Sequence, residues 1–185
     1  AGDTDFSAQI ARLQNQDNAD AVYIAAIPSE AGLTVKQIRE SGLDIPILSA
    51  DGFDTELVAS VPGPQNANDI WFSSHAYRAS DRQVVEDFIA AYKDEYGREP
   101  ENSFCPLGYD AIGLIANAIR NAGSADPKEI RDALEKTRGY NAVTGEVSYI
   151  RENGVPPKPI SIIEVQEASF EQVDIWYPEG FGPDN

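Results

Sequence analysis

Two short apolar runs separated by one amphipathic segment constrain the fold of this chain more than any other feature. The runs DAVYIAAI, residues 20–27, and IPILSA, residues 45–50, have the length and composition of buried strands. Between them, residues 28–42 place their apolar side chains on one helical face, with Ser29 as a candidate N-cap and Gly42 at the C-terminal end. Strand, helix and strand with short connections predict parallel neighbours linked by a right-handed crossover.

The rest of the chain alternates less regularly. A short helix, for which Asp54 is a candidate N-cap, leads to a third predicted strand at residues 69–74. Three consecutive helices are then predicted, at residues 84–97, 104–123 and 126–139. Strands are predicted again at residues 142–150, 160–166 and 170–177, the last two forming a hairpin. We therefore predict an α/β protein whose β-α alternation is interrupted by helices.

The acidic composition restricts the partners. Fourteen Lys and Arg against 31 Asp and Glu give a net charge of −17, which repels phosphate backbones and anionic membranes at long range. Nucleic acid is therefore not expected as a partner. The longest apolar runs are far shorter than the roughly 20 residues needed to span a bilayer. For Cys105, the single cysteine, a packed thiol is the expected role.

A carboxylate follows the second predicted strand. Asp51 comes directly after IPILSA and before Gly52, at the end of a parallel strand that faces the ligand crevice in open α/β sheets. Gly52 allows a sharp turn and a close approach of a ligand to the backbone. Ile27 occupies the corresponding position one strand earlier. An acid beside an aliphatic side chain suits an ammonium group on an apolar body, whereas an Asx-type cap of the next turn is the alternative role of Asp51.

Enzymatic and metal-binding alternatives have little support in the motifs. His75 is the only histidine, and neither a G-x-S-x-G elbow nor a Cys-His signature with Cys105 is present. Asp51 and Asp54 have no further ligands at EF-hand or zinc spacing. A phosphoryl-accepting aspartate, as in receiver domains, would need an acidic pair after the first strand, which is not found. We therefore predict no catalytic residue, no metal site and no cofactor.

An ordered series of motifs resembles a known family. GDTDFSAQIARLQ, DAVYIAAIPSEAGLTVKQIRESGLDIPILSADGFDTEL, AYKDEYGREP, LGYDAIGLIANAI and RDALEKTRGYNAVTGEVSY closely resemble the periplasmic solute-binding proteins of branched-chain amino-acid ABC transporters. The resemblance covers nearly the whole chain. It implies a two-lobed type I periplasmic-binding-protein fold, with parallel sheets flanked by helices. The chain is then expected to supply most of the second lobe and the C-terminal part of the first.

The same resemblance implies a division of the chain. Residues 1–72 would belong to the second lobe, and residues 81–153 to the first. Residues 160–185 would return to the second lobe. Crossings would lie at residues 73–80 and 154–159, where the composition changes to SSHAYRAS and to the proline-rich GVPPKP.

Ligand-binding residues follow from the resemblance at matching positions. Asp51 matches the family acid that accepts hydrogen bonds from a ligand ammonium group. Ile27 stands where relatives often carry tyrosine, and Phe104 matches an aromatic residue that lines the side-chain pocket from the first lobe. A packing role at the start of a helix is an equal alternative for Phe104. Phe53 and Tyr109 are weaker candidates, for which packing is the favoured role.

The implied function is binding, not catalysis. The resemblance implies that an amino acid, branched-chain or a related small amphiphile, is bound outside the cytoplasm and delivered to an ABC membrane permease. The location would be periplasmic or extracellular, with or without a lipid anchor. A ligand-sensing domain of a receptor or regulator with the same fold is the alternative. A missing N-terminal half of the same protein is the expected further partner, and without it we expect exposed apolar helix faces and open strand edges.

Overall fold

The computed structural model describes residues 2–16, 19–76, 80–150 and 154–181. The chain divides into two compact units. Unit 1 comprises Ala1–Ser74 and Ser161–Ile175, and unit 2 comprises His75–Ile160 and Trp176–Asn185. The backbone therefore passes between the units after Ser74, after Ile160 and after Ile175.

Helices and strands alternate in unit 1, whereas unit 2 is mainly helical. In chain order the elements are α1 (Ser7–Gln14), β1 (Val22–Ile24), α2 (Pro28–Glu40), β2 (Ile47–Ser49), a 3₁₀ turn (Asp51–Phe53), α3 (Leu57–Ser60), β3 (Ile70–Ser74), α4 (Gln83–Tyr96), α5 (Phe104–Ala122), α6 (Pro127–Glu135), β4 (Tyr140–Ala142), β5 (Gly145–Val147), β6 (Ile160–Gln166) and β7 (Ser169–Trp176). None of the helices described is long and apolar enough to cross a membrane.

The sheet of unit 1 has the strand order β1-β2-β3-β6-β7. β1, β2 and β3 run parallel, as the sequence predicts, and β6 lies antiparallel to β3. One register row places Ile47, Ile70 and Val165 side by side, each 0% exposed. The carboxyl ends of β1, β2 and β3 consequently lie along one edge of the sheet, which we call the rim.

Helix α2 buries small and branched side chains along one of its faces. Its buried residues include Ala31, Val35 and Ile38, which recur at helical spacing. Gly32 lies where α3 approaches, and a Cβ atom there would stand 2.1 Å from the carbonyl oxygen of Leu57. Glycine is therefore required for the two helices to pack backbone to backbone.

Two predicted N-caps are wrong. The N-cap position of α2 is Ile27 and Pro28 takes the first helical position, so Ser29 lies inside the helix. The Ser29 hydroxyl instead donates to Glu30 Oε2 at 2.7 Å. Helix α3 begins only at Leu57, so Asp54 lies too far upstream to cap it. The C-terminal prediction for α2 is confirmed, because Gly42 has a φ of +84°.

Unit 2 packs three helices and a short hairpin. Val85 and Phe88 of α4 form a buried cluster with Val143, and Tyr92 and Cys105 pack against it. Cys105 is thus a packed thiol, as predicted. Asp126 is the N-cap of α6, since its side chain accepts hydrogen bonds from two backbone N–H groups in the first turn.

The strand predicted at residues 142–150 is wrong. The backbone reverses at Val143 and Thr144, so β4 and β5 form an antiparallel hairpin instead of one strand. This turn has no Asn-Gly signal. Its backbone N–H and C=O groups are paired by side chains from elsewhere in unit 2, as described below. The hairpin predicted near the end of the chain is confirmed: β6 and β7 are neighbours, joined by Glu167 and Ala168 at positive φ.

One face of α5 carries exposed apolar side chains. Ile112, Ile115 and Ile119 stand at helical spacing and are exposed, Ile112 to 68%. We call these three residues the α5 stripe. The expectation of an exposed apolar helix face is confirmed at this helix.

Candidate functional site

The rim brings Ile27 and Asp51 together in unit 1. Ser49 at the end of β2 donates through Oγ to the carbonyl oxygen of Ile24 at 2.7 Å, which ties the ends of β1 and β2. Gly52 then packs against the backbone of Ala26, and its Cα lies next to the segment that carries Ile27. The predicted neighbouring positions of Ile27 and Asp51 therefore follow from the parallel register of the two strands.

Gly52 is required by chain packing. A Cβ atom at this position would lie 1.9 Å from the Ala26 carbonyl oxygen, a distance that no side chain tolerates. The sequence prediction assigned the close approach to a ligand, whereas in the structure the neighbouring strand end makes it. Gly52 thus fixes the distance between the two loops of the rim.

Asp51 opens the 3₁₀ turn that follows β2. The turn closes through hydrogen bonds from Phe53 N to Ala50 O and from Asp54 N to Asp51 O, both 3.0 Å. The Asp51 side chain is half-buried. The N–H groups at the start of α3 are served by Thr55, whose hydroxyl accepts from Leu57 N at 3.3 Å and whose carbonyl accepts from Val58 N. Thr55 thus satisfies two N–H groups at the start of α3.

Asp54 has a structural role. Ser74 at the end of β3 donates through Oγ to Asp54 Oδ2 at 2.9 Å, and both residues are buried. This hydrogen bond connects the 3₁₀ turn to the third strand of the rim. Within the described ranges, no group of three or more His, Cys, Asp or Glu residues is placed to hold a metal ion.

The two hydrophobic candidates in unit 1 differ in exposure. Ile27 is 53% exposed, so its side chain presents an apolar surface at the rim. Phe53 is 0% exposed and belongs to the core. Packing, the role favoured for Phe53 from the sequence, agrees with this burial. The rim therefore offers one carboxylate and one aliphatic side chain.

The aromatic candidates lie on α5 in unit 2. Phe104 is the first residue of that helix and is 41% exposed. Tyr109 is exposed, and its ring centroid lies 5.2 Å from that of Phe88. Five residues along a helix place the two side chains about 140° apart around its axis. They thus present separate surfaces of α5.

Cys105 shows no geometry of a catalytic thiol. Its Sγ lies 3.7 Å from the Tyr92 hydroxyl and 3.8 Å from Asn102 Oδ1. The hydrogen bond with Cys105 is the main cause that raises the pKa of Tyr92, together with burial. These contacts belong to the hydrophobic packing between α4 and the start of α5.

Sequence reasoning missed a polar network in unit 2. The buried carboxylate of Asp110 on α5 accepts from Val143 N at 2.8 Å, from Thr144 N at 2.8 Å and from Thr144 Oγ1 at 2.7 Å. Lys158 donates to Thr144 Oγ1, and burial lowers the pKa of this lysine while the charge of Asp110 opposes the shift. The only signal in the sequence is a carboxylate inside the otherwise apolar LGYDAIGLIANAI.

Comparison with known proteins identifies the family. The model of the family described as "Periplasmic binding protein" matches residues 1–169. The Leu/Ile/Val-binding protein homolog 1 of Brucella abortus (strain 2308) is 33% identical over 158 residues, which are 85% of this chain and 41% of that protein.

Solved structures agree with the fold. A leucine-binding protein from Thermotoga maritima MSB8 superimposes with a TM-score of 0.84 at 33% identity, covering 97% of this chain and 51% of the other. The substrate-binding protein of a branched-chain amino-acid transporter from Streptococcus pneumoniae, solved with isoleucine, gives 0.82 at 31% identity, with 96% and 50% covered. The predicted type I fold is therefore confirmed.

The length of the match sets the frame for function. This chain spans 41% of the Brucella protein and about half of the two solved structures. The activities of those longer proteins therefore involve residues beyond the part that these 185 residues match. The family match extends over 169 residues from the N-terminus; the chain belongs to the periplasmic binding protein family.

Proposed function

We propose that this chain is part of an extracytoplasmic protein that binds an amino acid, branched-chain or a related small amphiphile, and delivers it to an ABC permease. The family match and the similarity to a leucine-binding protein and to a protein solved with isoleucine support this proposal. Binding and release require no covalent step, and we propose no catalytic role. The corresponding location is the periplasm or the cell exterior.

The observation that carries the proposal is the pairing of Asp51 and Ile27 at the rim. A half-buried carboxylate and an exposed aliphatic side chain at neighbouring strand ends match an ammonium group that is attached to an apolar body. A charge-assisted hydrogen bond from the ammonium group would contribute on the order of 1.5–3 kcal/mol once both groups are desolvated. We therefore assign ammonium recognition to Asp51 and apolar contact to Ile27.

We further propose that unit 1 belongs to the second lobe of the binding protein and that unit 2 supplies residues 81–153 to the first. The proposed boundaries are residues 1–72 and 160–185 for the second lobe, 81–153 for the first, and 73–80 and 154–159 for the crossings. Phe104 would then contribute to the ligand pocket from the first lobe. The rest of the first lobe would come from the N-terminal half of the protein. Ligand would be retained by hinge closure of the lobes.

Calorimetry on the full-length natural protein tests the proposal. Titration with a panel of amino acids is expected to show binding of a branched-chain member, and Asp51→Ala is expected to weaken it about 10- to 150-fold. Asp44→Ala is the matched control, because Asp44 is exposed and precedes the same strand at its opposite end. The proposal fails if no amine-bearing ligand binds, or if the two variants behave alike.

A further inference from the structure

Two cations of unit 2 converge on the β4–β5 turn, residues 142–145. Arg82 reaches the turn from one side, donating through Nη1 to Val143 O at 3.2 Å and through Nη2 to Ala142 O at 2.9 Å and to Asn141 Oδ1 at 2.5 Å. Lys158 reaches it from the other side and donates to Thr144 Oγ1. The carbonyl groups of the turn and its hydroxyl are thus held by positive charge.

The carboxylate of Asp110 supplies the opposite charge at the same turn. It accepts both turn N–H groups and the Thr144 hydroxyl, each within 2.8 Å. Thr144 Oγ1 therefore donates to Asp110 and accepts from Lys158, which makes it a relay between the lysine and the carboxylate. Asp110 and Thr144 are both buried, so this chain of charge-assisted hydrogen bonds is shielded from water and is stronger than a surface pair.

Both cations lie close to a passage of the backbone between the units. Lys158 is two residues before Ile160, the last residue of unit 2 at the second passage. Arg82 follows the first passage, after Ser74, by eight residues. The aliphatic part of Lys158 also packs on the turn, because a Cβ atom at Gly145 would lie 3.6 Å from Lys158 Cε. Residues 154–160, which we call the returning segment, are consequently attached to the hairpin of unit 2.

We propose that Lys158, through Thr144 and Asp110, is a positioning residue that fixes the returning segment to unit 2. Arg82 attaches the N-terminal end of α4 to the same β4–β5 turn. The segment then moves with unit 2 as one body, and at this passage, the second of three, the change of backbone angles in hinge motion falls at the junction of Ile160 and Ser161. The statement about hinge motion rests on the proposed function, whereas the attachment to unit 2 does not.

Hydrogen–deuterium exchange of the full-length protein without ligand tests the attachment. Lys158→Met preserves the aliphatic packing but removes the donor, and the backbone amides of the non-proline residues of the segment, Gly154, Val155, Lys158 and Ile160, are expected to exchange about tenfold faster than in the wild type. Lys136→Met, an exposed lysine on the surface of unit 2, is the matched control with no change expected. Unchanged exchange in Lys158→Met would overturn the proposal.

A second variant separates positioning from general loss of structure. Thr144→Val removes the relay hydroxyl and leaves the lysine in place, so it is expected to raise exchange in the same segment. Adding it to Lys158→Met is expected to cause little further change, because both variants break one chain of hydrogen bonds. If the increases in exchange of the two single variants add up fully in the double variant, the relay is contradicted. This comparison also applies where Lys158→Met alone folds poorly.

The same method distinguishes this inference from the proposed function. Saturating leucine is expected to leave exchange in the returning segment unchanged in the wild type, while it protects the rim around Asp51. If leucine slows exchange in neither region while Lys158→Met still speeds exchange in the returning segment, the proposed function is contradicted but the attachment is not. A returning segment that becomes protected only with leucine would contradict its rigid attachment to unit 2.

Discussion

The two units are stabilised by different means. In unit 1 the strands align apolar residues in register, and Ile47, Ile70 and Val165 lose all contact with water. In unit 2 the longest helix leaves the α5 stripe exposed, and the β4–β5 turn is held by Asp110, Arg82 and Lys158. Unit 1 thus relies on apolar contacts between its strands, whereas the β4–β5 turn of unit 2 relies on charge-assisted hydrogen bonds.

Removing a core aromatic residue from unit 1 is expected to have the largest effect. Phe72 is 1% exposed and packs edge to face with Phe170 at 6.2 Å between ring centroids. Phe72→Ala should lower the free energy of unfolding by about 3–5 kcal/mol, since it removes burial and leaves a cavity. Urea denaturation followed by circular dichroism measures the loss. Leu48→Ala, on the other face of the sheet and 40% exposed, should cost about 1 kcal/mol; equal losses would contradict the account of the core.

Neutralising the buried acid of unit 2 is expected to have the next largest effect. Asp110→Asn keeps the shape of the side chain but removes the charge that accepts three hydrogen bonds, so unfolding free energy should fall by about 2–3 kcal/mol. Urea denaturation again gives the value. The control is Asp132→Asn, which breaks a surface pair with Arg131 and should leave stability nearly unchanged, because water and salt screen such a pair. A comparable loss in both would show that the network at the β4–β5 turn is dispensable.

The lysine in this network should give unit 2 a pH dependence of its own. Burial lowers the pKa of Lys158, so the folded state favours the neutral amine more than the unfolded chain does. Stability should therefore rise, relative to Lys158→Met, as the pH increases from the lowered pKa to the usual lysine value of about 10.4. Paired urea titrations of wild type and Lys158→Met across this alkaline range isolate the effect. A difference that stays flat, or falls with pH, would contradict burial of this lysine.

The smallest effect is expected on the α5 stripe. Ile112 is 68% exposed in this chain, so Ile112→Ser should change unfolding free energy by less than about 0.5 kcal/mol. The same change in the full-length protein should cost about 2 kcal/mol or more, if the N-terminal half covers the stripe. Urea denaturation of this chain and of the full-length protein, each with and without Ile112→Ser, measures the two losses of unfolding free energy. Equal small effects would show that the stripe stays exposed.

Unit 1 could be predicted from the sequence because its signals are local. Short branched runs, an amphipathic helix and Gly42 at its end determine the β-α-β order without long-range information. The caps were mispredicted because α2 begins at Pro28, one residue before Ser29, and α3 begins only at Leu57, three residues after Asp54. The β4–β5 hairpin was missed because its turn is stabilised by Asp110, 33 residues away from Val143, and no local pattern encodes such a contact.

The candidate site divides in the same way. Asp51 and Ile27 could be predicted as neighbours because parallel strands bring their carboxyl ends to one edge. The reason for Gly52 could not, since it depends on the distance to the Ala26 carbonyl group. Lys158 and Arg82 carry no motif, and only the folded hairpin brings them to one turn. Contacts between distant segments, not residue types, account for what the sequence did not predict.

Recognition of an ammonium group by Asp51 is the central claim, and a comparison of two ligands tests it directly. Calorimetry of the full-length protein with leucine and with 4-methylpentanoate, which lacks the amino group, separates that group from the apolar body. The wild type should prefer leucine by about 10- to 150-fold, and Asp51→Asn should abolish the preference by weakening leucine alone. An Asp51→Asn protein that still prefers leucine as strongly as the wild type would contradict the claim.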